Sequence, residues 1–312
     1  MAERSFAEEV KKLRAGAGDI FEGEGILAIT KALLQSGVSY VGGYQGSPIS
    51  HLMDVLNDAQ EILSELGVHF EANGSEATAA AMLSASINYP LRGAVTWKST
   101  VGTNVASDAL SNLASAGVTG GALVIVGEDY GEGSSIMQER SYAFAMKAQM
   151  WLMDPRPNLT SITEMVEKGF ELSEASNTPV FYMMRIRGCH VTGEFVAKDN
   201  VAPAFNNQTP VTPQREPEKI ILPPYVYEQE REKIAQRLPA AIQFIREQKL
   251  NEHFPGRYES LGIITCGGSY NTVIRALQRQ GLADVYGNAE VPIYCMNVAY
   301  PLVPDELVEF CV

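Results

Sequence analysis

Along the first two hundred residues the apolar positions keep changing period. Short β-branched or aromatic runs read as strands over 38–44 (VSYVGGY), 68–72 (VHFEA), 93–98 (GAVTWK), 121–128 (GALVIVGE), 159–163 (LTSIT) and 179–187 (PVFYMMRIR). Between them lie small-residue or amphipathic stretches of helical length: 24–36, 49–66, 74–88, 101–116, 136–149 and 163–176. Strands that alternate with helices build βαβ units and a mostly parallel sheet. The run GALVIVGE is apolar at both parities, as a strand is when helices cover both faces of its sheet. The expected class is therefore α/β, a parallel sheet with helices on both faces, over residues 1–200.

The pattern changes over 201–258. VAPAFNNQTPVTPQREPEKIILPPYVY is rich in proline and polar residues and reads as an extended linker, followed by the helix EQEREKIAQRLPAAIQFIREQK. Over 259–312 a strand, a glycine turn and a helix (YESLGIITCGGSYNTVIRALQRQG, 258–281) precede another strand and helix (VPIYCMNVAYPLVPDELVEFCV). Two strands and two helices cannot close a normal α/β sheet. This region is expected to be an incomplete domain, either part of a longer chain or completed by a partner.

Composition narrows the function classes. Of 312 residues, 46% are hydrophobic and 20% charged, which is ordinary for a globular protein. A net charge of −13 argues against nucleic-acid binding, which needs a basic footprint. The N-terminal MAERSFAEEVKKLRAG has no apolar core of a secretory signal, and no apolar run has the length of a membrane span. Cys189, Cys266, Cys295 and Cys311 are widely spaced without a CxxC, which suits reduced thiols in the cytoplasm and supplies no local metal or cluster site.

Ligands of open α/β sheets sit beyond the carboxyl ends of the strands. Four turns are expected there: GYQGSP (43–48), EANGSEA (71–77), KSTVGTNVASD (98–108) and GEDYGEGSS (127–135). None carries GxGxxG, GxxxxGK[ST] or GxSxG, and the four histidines are scattered. His190, near Arg185 and Arg187, reads as a surface ion-pair residue or an anion contact. Glu76 has two readings. It closes a capping box with Asn73 as N-cap, or it is a functional carboxylate beside glycine turns, backed by an alanine-rich helix. Thiamine diphosphate chemistry asks for the second arrangement: a glutamate that hydrogen-bonds N1′ of the aminopyrimidine ring and lets the ring take the C2 proton of the thiazolium.

Several segments, taken in order, resemble the large subunit of indolepyruvate:ferredoxin oxidoreductases. They are GYQGSPIS, SEATAAAMLSASI, VGTNVASDALSNLASAGVTGGALVIVGEDYGEGSS and YNTVIRALQ…GLADVYG…MNVAYPLVPDELVEF, spanning residue 20 or so to the end. The resemblance implies a thiamine diphosphate-dependent 2-oxoacid oxidoreductase acting on an arylpyruvate, with electrons passing through 4Fe–4S clusters to ferredoxin and an acyl-CoA as product. It implies that 1–200 is a pyrimidine-binding domain and 259–312 the start of a transketolase C-terminal-like domain. Glu76 falls on the family's N1′-contacting glutamate, and Ser47 and Asn104 fall on the substrate side. Gly43, Gly46 and Gly102, with Gly42, would let backbone approach the cofactor.

Two departures bear on this. Where the family reads Lys-His-Val-Gly, this sequence has KSTVGTN (98–104), one residue longer and without the histidine. The GDG…Asn motif for diphosphate and Mg2+ and the cluster cysteines do not occur. The resemblance assigns them to a pyrophosphate-binding domain or subunit, with a gamma-type subunit, so an oligomer is expected. A non-oxidative thiamine diphosphate-dependent decarboxylase or lyase and a non-catalytic scaffold subunit of the same fold remain open.

Overall fold

The computed structural model describes residues 4–129, 140–206, 212 and 216–312. Strands are β1 (Ile20–Glu24), β2 (Tyr40–Gly43), β3 (His69–Ala72), β4 (Gly93–Lys98), β5 (Ala122–Glu128), β6 (Trp151–Met153), β7 (Val180–Arg185), β8 (Thr192–Val196), β9 (Glu252–Phe254), β10 (Ile263–Cys266), β11 (Ile293–Met296) and β12 (Val298–Tyr300). The α-helices before β6 are α1 (Gly25–Gln35), α2 (Ser50–Asp58), α3 (Gln60–Leu66), α4 (Glu76–Leu83), α5 (Ala85–Asn88), α6 (Ser99–Ala116) and α7 (Ser141–Ala148). After it come α8 (Leu159–Ser176), α9 (Ile186–His190), α10 (Tyr225–Glu232), α11 (Leu238–Glu247), α12 (Tyr270–Arg279) and α13 (Pro304–Cys311).

Seven strands form the main sheet in the order β12-β6-β7-β5-β4-β2-β3. All its pairings are parallel except that of β12 with β6. This is the α/β class expected from the alternating pattern. The parity of β5 and β7 divides the core. Leu123, Ile125, Tyr182 and Met184 pack with α1, α2 and α8 on one face, and Val124, Val126, Phe181 and Met183 pack with α4, α6 and α7 on the other. Every residue of β5 is buried, because helices cover both faces.

Several boundaries differ from the sequence pattern. Residues 159–163 are not a strand but the first turn of α8. Asn158 is extended and its side-chain oxygen accepts the Ser161 N–H at 2.9 Å, so the cap starts a helix across a β-branched run. The strand beside β7 is instead the three-residue β6. The helix over 136–149 is described only as α7, the residues before Arg140 lying outside those described, and it ends where Gln149 turns left-handed. The stretch 49–66 breaks at Ala59 into α2 and α3. Between α10 and α11, Lys233–Arg237 form a π-helical turn just before Pro239, which has no N–H to give the ladder.

After residue 200 the strands pair beyond their own region. β10 and β11 run parallel, and β9 adds an antiparallel third strand from the end of the 201–258 region, after its helix. β12 leaves this small sheet and joins the edge of the main one. The two-strand arrangement expected for 259–312 is therefore replaced by a three-stranded sheet with one strand supplied from upstream.

Candidate functional site

The order of the main sheet reverses between β2 and β4, since the chain moves outward from β2 to β3 and then crosses back to β4. Such a switch point opens a crevice beyond the carboxyl ends of the two strands. Gly43 ends β2 there, at φ 154°, and a Cβ on it would lie 2.2 Å from the Thr96 carbonyl oxygen. Tyr44 N–H then donates to that carbonyl at 3.0 Å. Only glycine permits this conformation and approach.

The next turn is packed against the end of β4. A Cβ at Gly46 would meet Lys98 Cβ at 2.5 Å, and Lys98 Nζ donates to the Ser47 carbonyl at 2.8 Å. Pro48 and Ile49 lie over Gly127 of β5. Lys98 Nζ also stands 3.6 Å from Asp129 Oδ1, a fully buried carboxylate. Ser47 itself is half-buried.

Glu76 opens α4, on the face covered by α6, and the structure corrects its capping role. Asn73 is not the cap: its N–H donates to Gly43 O at 2.9 Å, still in the β2–β3 ladder, and its side chain reaches Glu71. Ser75 is extended and caps the helix, exchanging hydrogen bonds with Thr78, so Glu76 is the first helical residue rather than the third. Its carboxylate is free of the box. Glu76 is only 7% exposed, and no hydrogen-bond or ion-pair partner for it occurs among the described residues. The positive end of α4 favours the negative charge. Gly102 makes room for it, because a Cβ there would lie 2.9 Å from Glu76 Cγ and 2.5 Å from Trp97 Cδ1. Trp97 is fixed in turn by donating Nε1–H to Thr103 Oγ1 at 3.1 Å.

The remaining expected residues do not all gather around this carboxylate. α6 begins at Ser99, so most of KSTVGTNVASD is helix rather than loop. Asn104 is exposed one turn along, its amide donating to the Thr100 carbonyl at 2.8 Å. A groove of about 540 Å³ beyond β2 and β3 includes Gly43, Tyr44, Asp54 and Asn73 in its lining but not Glu76, Ser47, Gly46, Gly102 or Asn104. The turn GEDYGEGSS is described only to Asp129. His190 Nδ1 donates to Glu24 Oε1, 2.7 Å away, which is the ion-pair role read for it rather than an anion contact.

The sequence reading passed over the acids that end β5 and the lysine that ends β4. Glu128 is fully buried, with Oε1 accepting from Ser141 N–H at 2.7 Å and Ser99 Oγ at 3.3 Å while Oε2 has no partner among the described residues. A signal was present, since charges at the carboxyl ends of strands apolar on both faces have no reason to be there for packing.

A lone buried carboxylate at a switch point can hold or share a proton with a ring nitrogen of a ligand. Its lack of a partner among the described residues fits that use, since its oxygens are left for a ligand to pair. The diphosphate, metal and cluster ends find no such fit. Among the described residues no group of three or more His, Cys, Asp or Glu side chains is placed to hold a metal. The four cysteines are unpaired, and burial pushes the Cys295 thiol up to about 12 and raises those of Cys189 and Cys266, opposite to what a thiolate ligand needs. No helix among the described residues is long and apolar enough to cross a membrane.

No protein-family model matches the sequence. Indolepyruvate oxidoreductase subunit IorA of Methanothermobacter marburgensis is 29% identical over 299 residues, 96% of this chain and 46% of that protein. The same subunit of Methanothermobacter thermautotrophicus is 28% identical over 95% of the chain, and that of Archaeoglobus fulgidus 24% over 90%. The chain thus spans about half the length of the curated relatives it matches. Among solved structures, a 2-oxoglutarate:ferredoxin oxidoreductase from Magnetococcus marinus superposes with a TM-score of 0.70 at 15% identity, covering 94% of this chain and 56% of that one. Over nearly its whole length, then, this chain is similar to indolepyruvate oxidoreductase subunits, as its motifs imply, and its fold is that of a 2-oxoacid:ferredoxin oxidoreductase.

Proposed function

We propose that this chain carries the pyrimidine-binding part of a thiamine diphosphate-dependent 2-oxoacid:ferredoxin oxidoreductase, with Glu76 as its acid–base residue. The observation that carries the reading is the Glu76 side chain, 7% exposed, without a partner among the described residues and with its Cγ seated against Gly102. Similarity to IorA subunits supports the reaction class and makes an arylpyruvate such as indolepyruvate the first substrate to try. Residues 1–200 form the pyrimidine-binding domain in this reading, 201–258 the connection, and 259–312 part of a transketolase C-terminal-like domain.

When bound, thiamine diphosphate supplies the carbanion chemistry that decarboxylation of a 2-oxoacid requires. The protein's share is positioning and one proton. Glu76 would hold that proton at its carboxylate oxygens, toward N1′ of the ring. Gly43, Gly46 and Gly102 would serve the cofactor by letting β2, the turn after it and α6 pack closely on Thr96, Lys98 and Trp97. Ser47 and Asn104 stand on the substrate side. Mg2+, the diphosphate contacts and the 4Fe–4S clusters come from a pyrophosphate-binding domain or subunit and a gamma-type subunit, with ferredoxin and CoA as further partners in a cytoplasmic oligomer.

The test is the reductive half-reaction of the complete complex, with a panel of 2-oxoacids and a dye acceptor. Dye reduction with CO2 release supports the oxidoreductase. CO2 release without reduction would mean a non-oxidative lyase, and neither, in an intact complex loaded with cofactor, a scaffold.

A further inference from the structure

One ammonium group ties together the carboxyl ends of three neighbouring strands. Lys98 is the last residue of β4, and its side chain is 17% exposed. Its Nζ donates to the carbonyl of Ser47, in the turn after β2, and faces Asp129 Oδ1, just beyond β5. The stem of the lysine runs directly beneath Gly46, where any Cβ would collide with Lys98 Cβ. Pro48 and Ile49 complete the packing by resting on Gly127. A charged donor makes the bond to Ser47 stronger than a neutral one, and the burial of Asp129 shields the ion pair from screening by salt.

We propose that Lys98 is a positioning residue for the 2-oxoacid. Through the Ser47 carbonyl and Asp129 it holds the Gly46–Ser47–Pro48 turn against β5, and so sets where the Ser47 hydroxyl points. Glycine at residue 46 lets the turn lie directly on the backbone and Cβ of residue 98, within reach of the lysine's own ammonium. The proposal rests on the reading of Ser47 as a substrate-side residue, but the tether itself does not.

The experiment uses the complete complex, comparing wild type with Lys98→Met, Lys98→Arg and Gly46→Ala. In dye reduction, KM for the 2-oxoacid is expected to rise about tenfold or more in K98M, with a smaller loss in kcat, because binding geometry rather than proton transfer is disturbed. K98R, which keeps a charged donor, is expected to recover part of that loss. Hydrogen exchange is read in the same samples, with amides 44–47 and 49 expected to exchange about tenfold faster or more in K98M and in G46A. An unchanged KM in folded K98M, or a loss confined to kcat, overturns the positioning role. Unchanged exchange overturns the tether, and this arm stands even if the complex turns over no 2-oxoacid. Lack of turnover in wild type counts against the proposed function instead. Should K98M fail to assemble, Lys98→Gln, which removes the charge but keeps most of the stem, is read by the same criteria.

Discussion

Gly102 shows how closely the Glu76 carboxylate is held. Its missing Cβ is matched by Trp97 on one side, held by Thr103, and Glu76 Cγ on the other. Gly102→Ala is expected to destabilise the chain by about 1–3 kcal/mol, the usual cost of overpacking a filled site, and to displace the carboxylate. Denaturant unfolding checks the first effect, where a midpoint equal to that of wild type would show that the neighbours yield easily. Glu76 was legible in the sequence as an acid beside glycine turns, but its cap was not. Capping depends on where the backbone leaves the extended conformation, and here the Asn73 N–H is already taken by Gly43, a strand partner thirty residues away. No local pattern reports that bond. Lys98 was hidden for a similar reason, since its partners lie in two other turns.

At the scale of elements, α4 matters because it starts where it does. The Ser75–Thr78 exchange ends the extended segment and makes Glu76 the first helical residue, aimed at α6. Ser75→Ala is expected to cost about 1 kcal/mol, and Ser75→Gly only a few tenths, because glycine tolerates the cap conformation without the side-chain bond. Equal losses in the two variants, measured by thermal unfolding, would contradict the capping account. The apolar, β-branched strands β4, β5 and β7 could be read to within a residue or two, since burial on both faces leaves a continuous signature. β6, β9 and β12, of three residues each, could not. They are strands only because of what they pair with, and for β12 and β9 the partner is distant in sequence or in another region of the chain. α8 was misread at its start because β propensity at 159–163 is overruled by the Asn158 cap.

For the molecule as a whole, parallel order and a switch point between β2 and β4 bring the carboxyl ends of β2, β3, β4 and β5 to one edge, and the sequence carried this through the alternation of its elements. How the chain after residue 200 returns to that sheet was not legible, because its pairing is long-range. The same edge carries Glu76, Glu128 and the Lys98–Asp129 ion pair, all largely buried. The central claim is that one of these carboxylates moves a proton. The most direct measurement is 2-oxoacid turnover by the complete complex with Glu76→Gln, beside its thermal unfolding and cofactor content. Loss of a general acid–base group should lower turnover by about a hundredfold or more. The melting temperature should hold, since an amide is easier to bury than an unpaired charge. Wild-type turnover in a folded, cofactor-loaded E76Q complex would contradict the account.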